Sequence, residues 1–210
     1  MRFRALAIIA ALAVAAPVIA QQDAGLPGAK DASRVAAGAY AVDPSHTLVG
    51  WRVNHFGFND YFGLFGDATG TLSIDPKNPN ASKVDITIPV SKVTTASAGL
   101  TAHLLKPGAE GKSPDFFGAN PADARFVSKR VVAKGDKAAI TGDLTINGKT
   151  REVTLNAEFT GAGANPYNKK ETVGFEATGA IKRSDFGINA ALPIVSDEVE
   201  LTITVAFEKQ

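Results

Sequence analysis

Residues 171–182 alternate between two faces with a strict period of two. Val173, Phe175, Ala177, Gly179 and Ile181 share one face, and polar or small residues occupy most of the other. This period is typical of a β-strand that turns one face toward an apolar interior. Seven further strand-like segments follow the same reading, and several of them alternate as cleanly: residues 47–56, 63–75, 83–90, 124–132, 137–146, 151–160 and 198–208.

Short connections join most of these strands. The clearest is Asn147-Gly148, which between two alternating runs is a strong signal for a β-hairpin. Strands joined in sequence by tight turns favour an antiparallel meander, and closing the meander into a barrel removes the unpaired edges that invite aggregation. The predicted fold class is therefore all-β, an eight-stranded antiparallel barrel.

One connection is much longer than the others. More than thirty residues separate Val90 from Ala124, which is too many for an ordinary loop. Thr94 or Thr95 is a candidate cap for a helix that runs to Leu105, and residues 113–117 have the cap and proline typical of a second helix start. We expect a helical insert between the third and fourth strands, lying across one end of the barrel.

The first twenty residues have the features of a secretory signal peptide. Two arginines precede a short apolar run at residues 5–14, and small residues lead up to an expected cleavage before Gln21. A membrane span needs about twenty apolar residues, which argues against the alternative of a retained anchor. Residues 21–39 show no period and are predicted to be a flexible leader, so the barrel domain is expected over residues 40–210.

Composition excludes several functions. The chain has no cysteine, which rules out thiol catalysis and cysteine metal sites. Its 22 basic and 21 acidic residues leave a net charge of only +1, so nucleic acid is not an expected partner. His46, His55 and His103 lack the spacing typical of zinc ligands, so no metal site is predicted. A carboxylate pair for hydrolysis has no fixed spacing and stays open, although nothing points to one.

The inner faces of the strands carry the remaining information about function. An eight-stranded barrel has an interior that side chains can fill or that can hold one small ligand. Small residues at Gly142, Ala157, Ala177 and Gly179 leave room for a ligand, although they can equally serve tight corners. A cavity and a filled core therefore both stay open on the residues alone.

Six short motifs occur in register between residues 40 and 207. They are Tyr40-Ala41-Val42-Asp43-Pro44-Ser45-His46, the strand end Asn54-His55, Phe65-Gly66-Asp67 with Gly70-Thr71-Leu72, Ser113-Pro114-Asp115-Phe116-Phe117, Gly142-Asp143-Leu144-Thr145 and Arg183-Ser184-Asp185-Phe186-Gly187-Ile188. Together they resemble the YceI-like family. The resemblance implies a lipocalin-like barrel with a helical insert, export to the periplasm, and a polyprenyl or quinone-type lipid enclosed in the barrel. Residues 105–112 depart from the family pattern as a glycine-containing insertion, which affects the expected shape of the helical insert.

The resulting hypothesis is a non-catalytic periplasmic carrier of an isoprenoid lipid, with no cofactor beyond that lipid or quinone. Two alternatives stay open: a lipid-modifying barrel enzyme, and a stress-related structural protein with a filled core. Transient membrane contact and a homodimer also stay open. The predicted ligand-binding residues are Val49, Trp51, Val53, His55, Phe116, Phe117, Leu144, Leu155, Phe175, Ala177, Ile181 and Arg183.

Strand parity places two of these side chains at one rim. His55 and Arg183 are expected to face inward there, beside Asn147 and under the insert. Arg183 is predicted either to bind the polar end of the lipid, a phosphate or a quinone oxygen, or to pair with Asp185 and pin the corner.

Overall fold

A computed structural model describes residues 25–210 as one antiparallel sheet with a short helix. The predicted signal peptide lies outside the described residues. The strands are β1 (Gly38–Val42), β2 (Leu48–His55), β3 (Asn59–Phe65), β4 (Thr69–Ile74), β5 (Lys83–Ile88), β6 (Ala124–Lys134), β7 (Lys137–Ile146), β8 (Lys149–Ala164), β9 (Glu171–Lys182) and β10 (Glu198–Lys209), and the α-helix is α1 (Ala98–Leu104). Single 3-10 turns cover Ala32–Arg34, Pro44–His46, Pro79–Ala81, Val90–Lys92 and Arg183–Phe186.

The sheet closes into a barrel because β1 pairs with both β4 and β10. The ring runs β1-β4-β5-β6-β7-β8-β9-β10 and back to β1. The β2–β3 hairpin extends this ring, since β2 pairs with β10 beyond β1 and β3 pairs with β2. The barrel thus has eight positions around its circumference, two of them filled by strands broken into β1/β2 and β3/β4. The predicted all-β, eight-stranded antiparallel barrel is confirmed.

Each break lies at residues that do not continue a strand. Between β1 and β2, Asp43 caps a 3-10 turn by accepting a hydrogen bond from the amide of Ser45 at 3.0 Å, and Pro44 has no amide to give to a ladder. Between β3 and β4, Asp67 adopts the left-handed conformation with φ 54°, which a strand cannot continue. Residues 63–75 are predicted as one strand, so the second break is not expected from the sequence.

The long connection contains one helix and not two. Helix α1 follows β5, the fifth strand of the structure. The predicted position of the helical insert, between the third and fourth strands, is therefore not confirmed. The side chain of Ser97, and not Thr94 or Thr95, caps it by accepting from the amide of Leu100. No helix forms at Ser113–Phe117, because the amide of Phe117 donates to the carbonyl of Leu104 at 3.0 Å and so ties this segment to the end of α1.

The leader also differs from its prediction where the structure describes it. Residues 27–37, here called the N-terminal strap, lie against the barrel, and Ala29 pairs with Ala162 of β8. By contrast, the Asn147-Gly148 hairpin is as predicted. Both residues have positive φ, 50° and 70°, as the tightest hairpin turn requires.

The buried apolar side chains form two separate clusters. One surrounds Tyr40, Phe159 and Phe207, and the other surrounds Phe126, Leu144 and Phe186. Neither fills the middle of the barrel. Within residues 25–210 no helix is both long and apolar enough to span a bilayer.

Candidate binding cavity

A cavity of about 700 Å³ lies inside the barrel. Its lining is almost entirely aliphatic and aromatic, with wall residues from every strand except β1. Ligand sites in proteins typically enclose about 300–1,000 Å³ behind mostly apolar walls with a few polar groups. The interior of this barrel therefore has the size and chemistry of a site for an apolar ligand and is not a close-packed core.

All twelve predicted ligand-binding residues line this cavity. They are Val49, Trp51, Val53, His55, Phe116, Phe117, Leu144, Leu155, Phe175, Ala177, Ile181 and Arg183. The structure thus brings together residues from four strands, the 3-10 turn after β9 and the insert around one interior. Their contact with a ligand stays a prediction.

Small side chains open the middle of the cavity. Ala157 and Ala177 are directly paired across β8 and β9, and each is buried with its methyl group on the wall. The two glycines predicted to act with them do something else. A Cβ at Gly142 would lie 2.7 Å from the ring of Phe126, and one at Gly179 would lie 2.8 Å from Leu155. Phe126 and Leu155 occupy the space that a side chain at these two glycines would need. Of the four small residues, the two alanines are therefore the ones that leave room for a ligand.

Trp51 forms a flat part of the wall. A Cβ at Gly63 of β3 would lie 2.0 Å from the indole ring, so the ring rests directly on the glycine backbone. The Nε1 donor of Trp51 is buried and has no hydrogen-bond partner among the described residues. Packing against Gly63 therefore holds the ring in place without help from that donor.

One mouth of the cavity, here called the insert end, lies where β2 and β9 end and the insert crosses the barrel. His55 stacks on Phe56 with 3.9 Å between ring centroids. His103 of α1 packs edge to face against Phe116, with 5.3 Å between the ring centroids. All four rings line the cavity, and Phe56 and His103 are exposed as well, so this mouth reaches the surface.

Arg183 also lies at the insert end, but its donors are already engaged. Its guanidinium donates to four backbone carbonyls: those of Ser196 at 2.8 Å, Ile188 at 3.0 Å, Ala190 at 2.7 Å and Val195 at 2.9 Å. The side chain is 5% exposed, and burial lowers the pKa of Arg183 while the Asp197 carboxylate opposes that effect. The expected pairing with Asp185 is not formed within the described chain. Arg183 thus organises the loop of residues 188–196.

The opposite mouth, here called the strap end, lies beneath the N-terminal strap. Ala32 and Val35 of the strap line the cavity there, together with Pro76, Pro79 and Asp136 from two turns. Sequence reasoning missed Ala32 and Val35, since the leader shows no period that would assign them an inside face. They reach the mouth because β1, which follows the strap, pairs with β4 and β10.

Ionisable groups in the lining do not converge on one point. His55, Tyr61, His103 and Arg183 belong to the insert end, whereas Asp136 and Lys137 belong to the strap end. Over the part of the chain that the structure covers, no three His, Cys, Asp or Glu side chains are grouped so that they could hold a metal ion. The third histidine, His46, bonds to Asp43 through Nδ1 at 2.7 Å and does not line the cavity.

Comparison with known proteins gives a consistent picture. The family model of the YceI-like domain matches residues 40–207. "Protein YceI" of Escherichia coli O157:H7 is 41% identical over 177 residues, which cover 83% of this chain and 88% of the relative.

Two solved structures have the same fold. The crystal structure of Burkholderia cenocepacia BcnA superposes with a TM-score of 0.65 at 27% identity and covers 79% of this chain and 98% of BcnA. A polyisoprenoid binding domain from Saccharophagus degradans superposes with a TM-score of 0.55, covering 81% of this chain and 98% of that domain. At 13% identity the second likeness shows the fold alone.

Proposed function

Because the chain belongs to the YceI-like family, we propose that it binds an isoprenoid lipid, of polyprenyl or quinone type, inside its barrel and carries it without catalysing a reaction. The observation that carries this proposal is the apolar cavity of about 700 Å³ in place of a packed core. The similarity in fold to a polyisoprenoid binding domain supports the chemical class of the ligand.

The lining accounts for how such a ligand would be held. Burying hydrocarbon contributes roughly 0.8 kcal/mol per methylene, and association costs several kcal/mol in lost freedom. Two or three isoprene units inside the cavity are therefore enough for tight binding. The wall offers aromatic edges as well, since Phe175 meets both Phe159 and Phe207 with ring centroids about 6 Å apart.

The placement of the ionisable groups supports a carrier over an enzyme. A general acid and base must reach the same reacting atom within hydrogen-bond distance. Here the donors of Arg183 are bonded to four carbonyls, and Asp136 is in an ion pair with Lys30 at the opposite mouth. This arrangement favours binding over proton transfer.

The proposed carrier is exported to the periplasm by the signal peptide at residues 1–20 and meets its lipid at a membrane. Exposed apolar side chains beside the insert end support transient membrane contact there: Phe56 is 45%, Phe58 87% and Ile194 59% exposed. Replacing Phe58 by Ser is expected to slow lipid uptake from vesicles while the affinity for lipid in detergent stays unchanged. Equal uptake rates in the variant and the wild type would show that lipid does not load through this surface.

Lipid analysis tests the proposed function most directly. The protein is purified from the periplasmic fraction of its natural host without detergent, and organic extracts are analysed by mass spectrometry. We expect one consistent class of isoprenoid lipid in near-stoichiometric amount, and rebinding of that class by delipidated protein. The proposal fails if no consistent lipid co-purifies and the delipidated protein binds neither polyprenols nor prenyl quinones.

A further inference from the structure

The N-terminal strap crosses the strap end from one side of the barrel to the other. It continues into β1, and in the ring of eight positions β7 lies opposite β1. Lys30 nevertheless reaches Asp136 in the turn between β6 and β7, and Ala29 pairs with β8. A segment that joins β1 to these elements has to pass over the mouth of the cavity.

The end of β8 is built to receive the strap. Pairing between β7 and β8 stops at Lys137 and Glu158, so the last residues of β8 have no partner on that side. Ala29 occupies the place, donating to the carbonyl of Ala162 at 3.1 Å and accepting from its amide at 2.9 Å. A Cβ at Gly163 would lie 2.0 Å from the carbonyl oxygen of Pro27, so this close approach requires a glycine.

The strap is part of the cavity wall. Val35 and Ala32 line the cavity, and Val35 also packs against the buried cluster around Tyr40 and Phe159. The hydroxyl of Tyr40, itself fully buried, donates to the carbonyl of Ala36 at 2.7 Å and anchors the end of the strap next to β1. The far end of a bound hydrocarbon chain would therefore rest on strap residues.

Beyond that anchor the attachment is weak compared with the rest of the barrel. The strap makes one bridge with β8, whereas β8 and β9 share a ladder along most of their length. Its other fastening is an ionic latch, in which Lys30 contacts Asp136 at 2.7 Å and also bonds to Glu158. The three side chains are 42–47% exposed, so solvent can compete for them.

We propose that the N-terminal strap is the removable wall of the cavity: it contacts the end of the bound chain through Val35, and its release at the Lys30 latch and the Ala29–Ala162 bridge lets the lipid leave at the strap end. The inference rests on the proposed function, because it assigns a gate to the same cavity. It adds a second mouth with a role distinct from loading at the insert end.

Lipid release is measured with a short-chain prenyl quinone, because a bound quinone quenches Trp51, the sole tryptophan of the chain. Loaded protein is mixed with an excess of empty phosphatidylcholine vesicles, and the recovery of tryptophan fluorescence gives the release rate. Lys30→Gln removes the latch and is expected to speed release about two- to fivefold, the range set by an exposed ion-pair network. Lys129→Gln is the matched control, since Lys129 also contacts two carboxylates, Asp143 and Glu152, but lies outside the strap.

A disulfide tests whether fixing the strap to β8 slows lipid release. Two residues that exchange both backbone hydrogen bonds have Cα atoms about 5.5 Å apart, within the range that a disulfide spans. The native chain has no cysteine, so Ala29→Cys with Ala162→Cys introduces one defined crosslink. Release is expected to slow about tenfold or more when the pair is oxidised, and to return to the wild-type rate after reduction.

The possible outcomes distinguish a failure of this inference from a failure of the proposed function. If quinone binds but neither the oxidised disulfide nor Lys30→Gln changes its release relative to Lys129→Gln, the strap is a fixed part of the barrel and this inference is overturned. If neither the quinone nor a polyprenol binds to the delipidated wild type, the proposed function fails and the inference fails with it.

Discussion

Replacing Ala177 by Trp separates a cavity from a packed core. Ala177 lies at the centre of β9, buried at 8% exposure, and its neighbours across the ladders are Ala157 and Ile203. Its methyl group faces the cavity. In a filled barrel the indole would have to displace close-packed side chains, whereas in this structure it enters space that the proposed lipid occupies.

The expected sizes of the two effects differ clearly. Overpacking of a filled core costs about 1–3 kcal/mol, and a change from Ala to Trp belongs at the upper end. With the cavity present, we expect the free energy of unfolding of the lipid-free protein to change by less than about 1 kcal/mol. A Trp ring buries at least about 150 Å². If it covers that much wall, the lipid loses about 4 kcal/mol of burial at ~25 cal/mol per Å², or several hundredfold in affinity at about tenfold per 1.4 kcal/mol.

The assay compares delipidated proteins by urea unfolding and then titrates each with a prenyl quinone. Delipidation is essential, because a bound ligand raises the apparent stability of the native state by mass action. Ala180→Trp is the matched control, since Ala180 lies on the same strand with its side chain exposed. A strongly destabilised Ala177→Trp protein, or one that folds well and binds quinone as tightly as the Ala180→Trp control, would refute the cavity as the lipid site.

Residues at both mouths of the cavity can be tested separately. Arg183→Gln leaves four carbonyls of the 183–197 region without their charged donor and is expected to cost about 3 kcal/mol or more of unfolding free energy by urea titration; Arg183→Lys should not rescue it, because an ammonium group cannot reproduce the planar fork. A variant with cysteines at Leu64 and Thr94, which exchange backbone hydrogen bonds at 2.9 Å, clamps the insert when oxidised. Lipid entry should then slow, and an unchanged entry rate would show that lipid enters elsewhere. The hydrogen bonds from Lys30 lower the pKa of both latch carboxyls, so the latch is complete above their unfolded values of about 4 and weakens as the pH falls through the lowered ones. Release should therefore accelerate below about pH 4 in the wild type but not in Lys30→Gln.

Strand parity accounts for what was predictable about the site. Whether a residue of a strand faces in or out depends only on its neighbours along the chain, since successive side chains point to opposite faces. For that reason Val49, Leu144 and Ile181, taken from three separate alternating runs, all line the same cavity. The Asn147-Gly148 turn was predictable for a similar reason, because positive φ at both positions is a local requirement.

The breaks and the insert show where local signals were insufficient. Residues 63–75 read as one strand-like run in the sequence, and the left-handed conformation of Asp67 within it depends on how β3 and β4 meet different partners, β2 and β1. The expected helix at Ser113–Phe117 has good capping residues. The amide of Phe117 is used by Leu104 instead, a contact from outside the segment that its own sequence does not show.

Most of the strands, their inward faces and the family were predictable from the sequence, since each depends on residues close together in the chain. Whether the inside is filled becomes visible in the folded barrel alone, because it depends on which distant side chain enters each gap. Phe126 takes the space at Gly142 and Leu155 the space at Gly179, while Ala157 and Ala177 are left facing open volume. The same holds for Arg183, whose acceptors come from residues 188–196, and for the strap, whose partner Ala162 meets Ala29 only once the ring has closed.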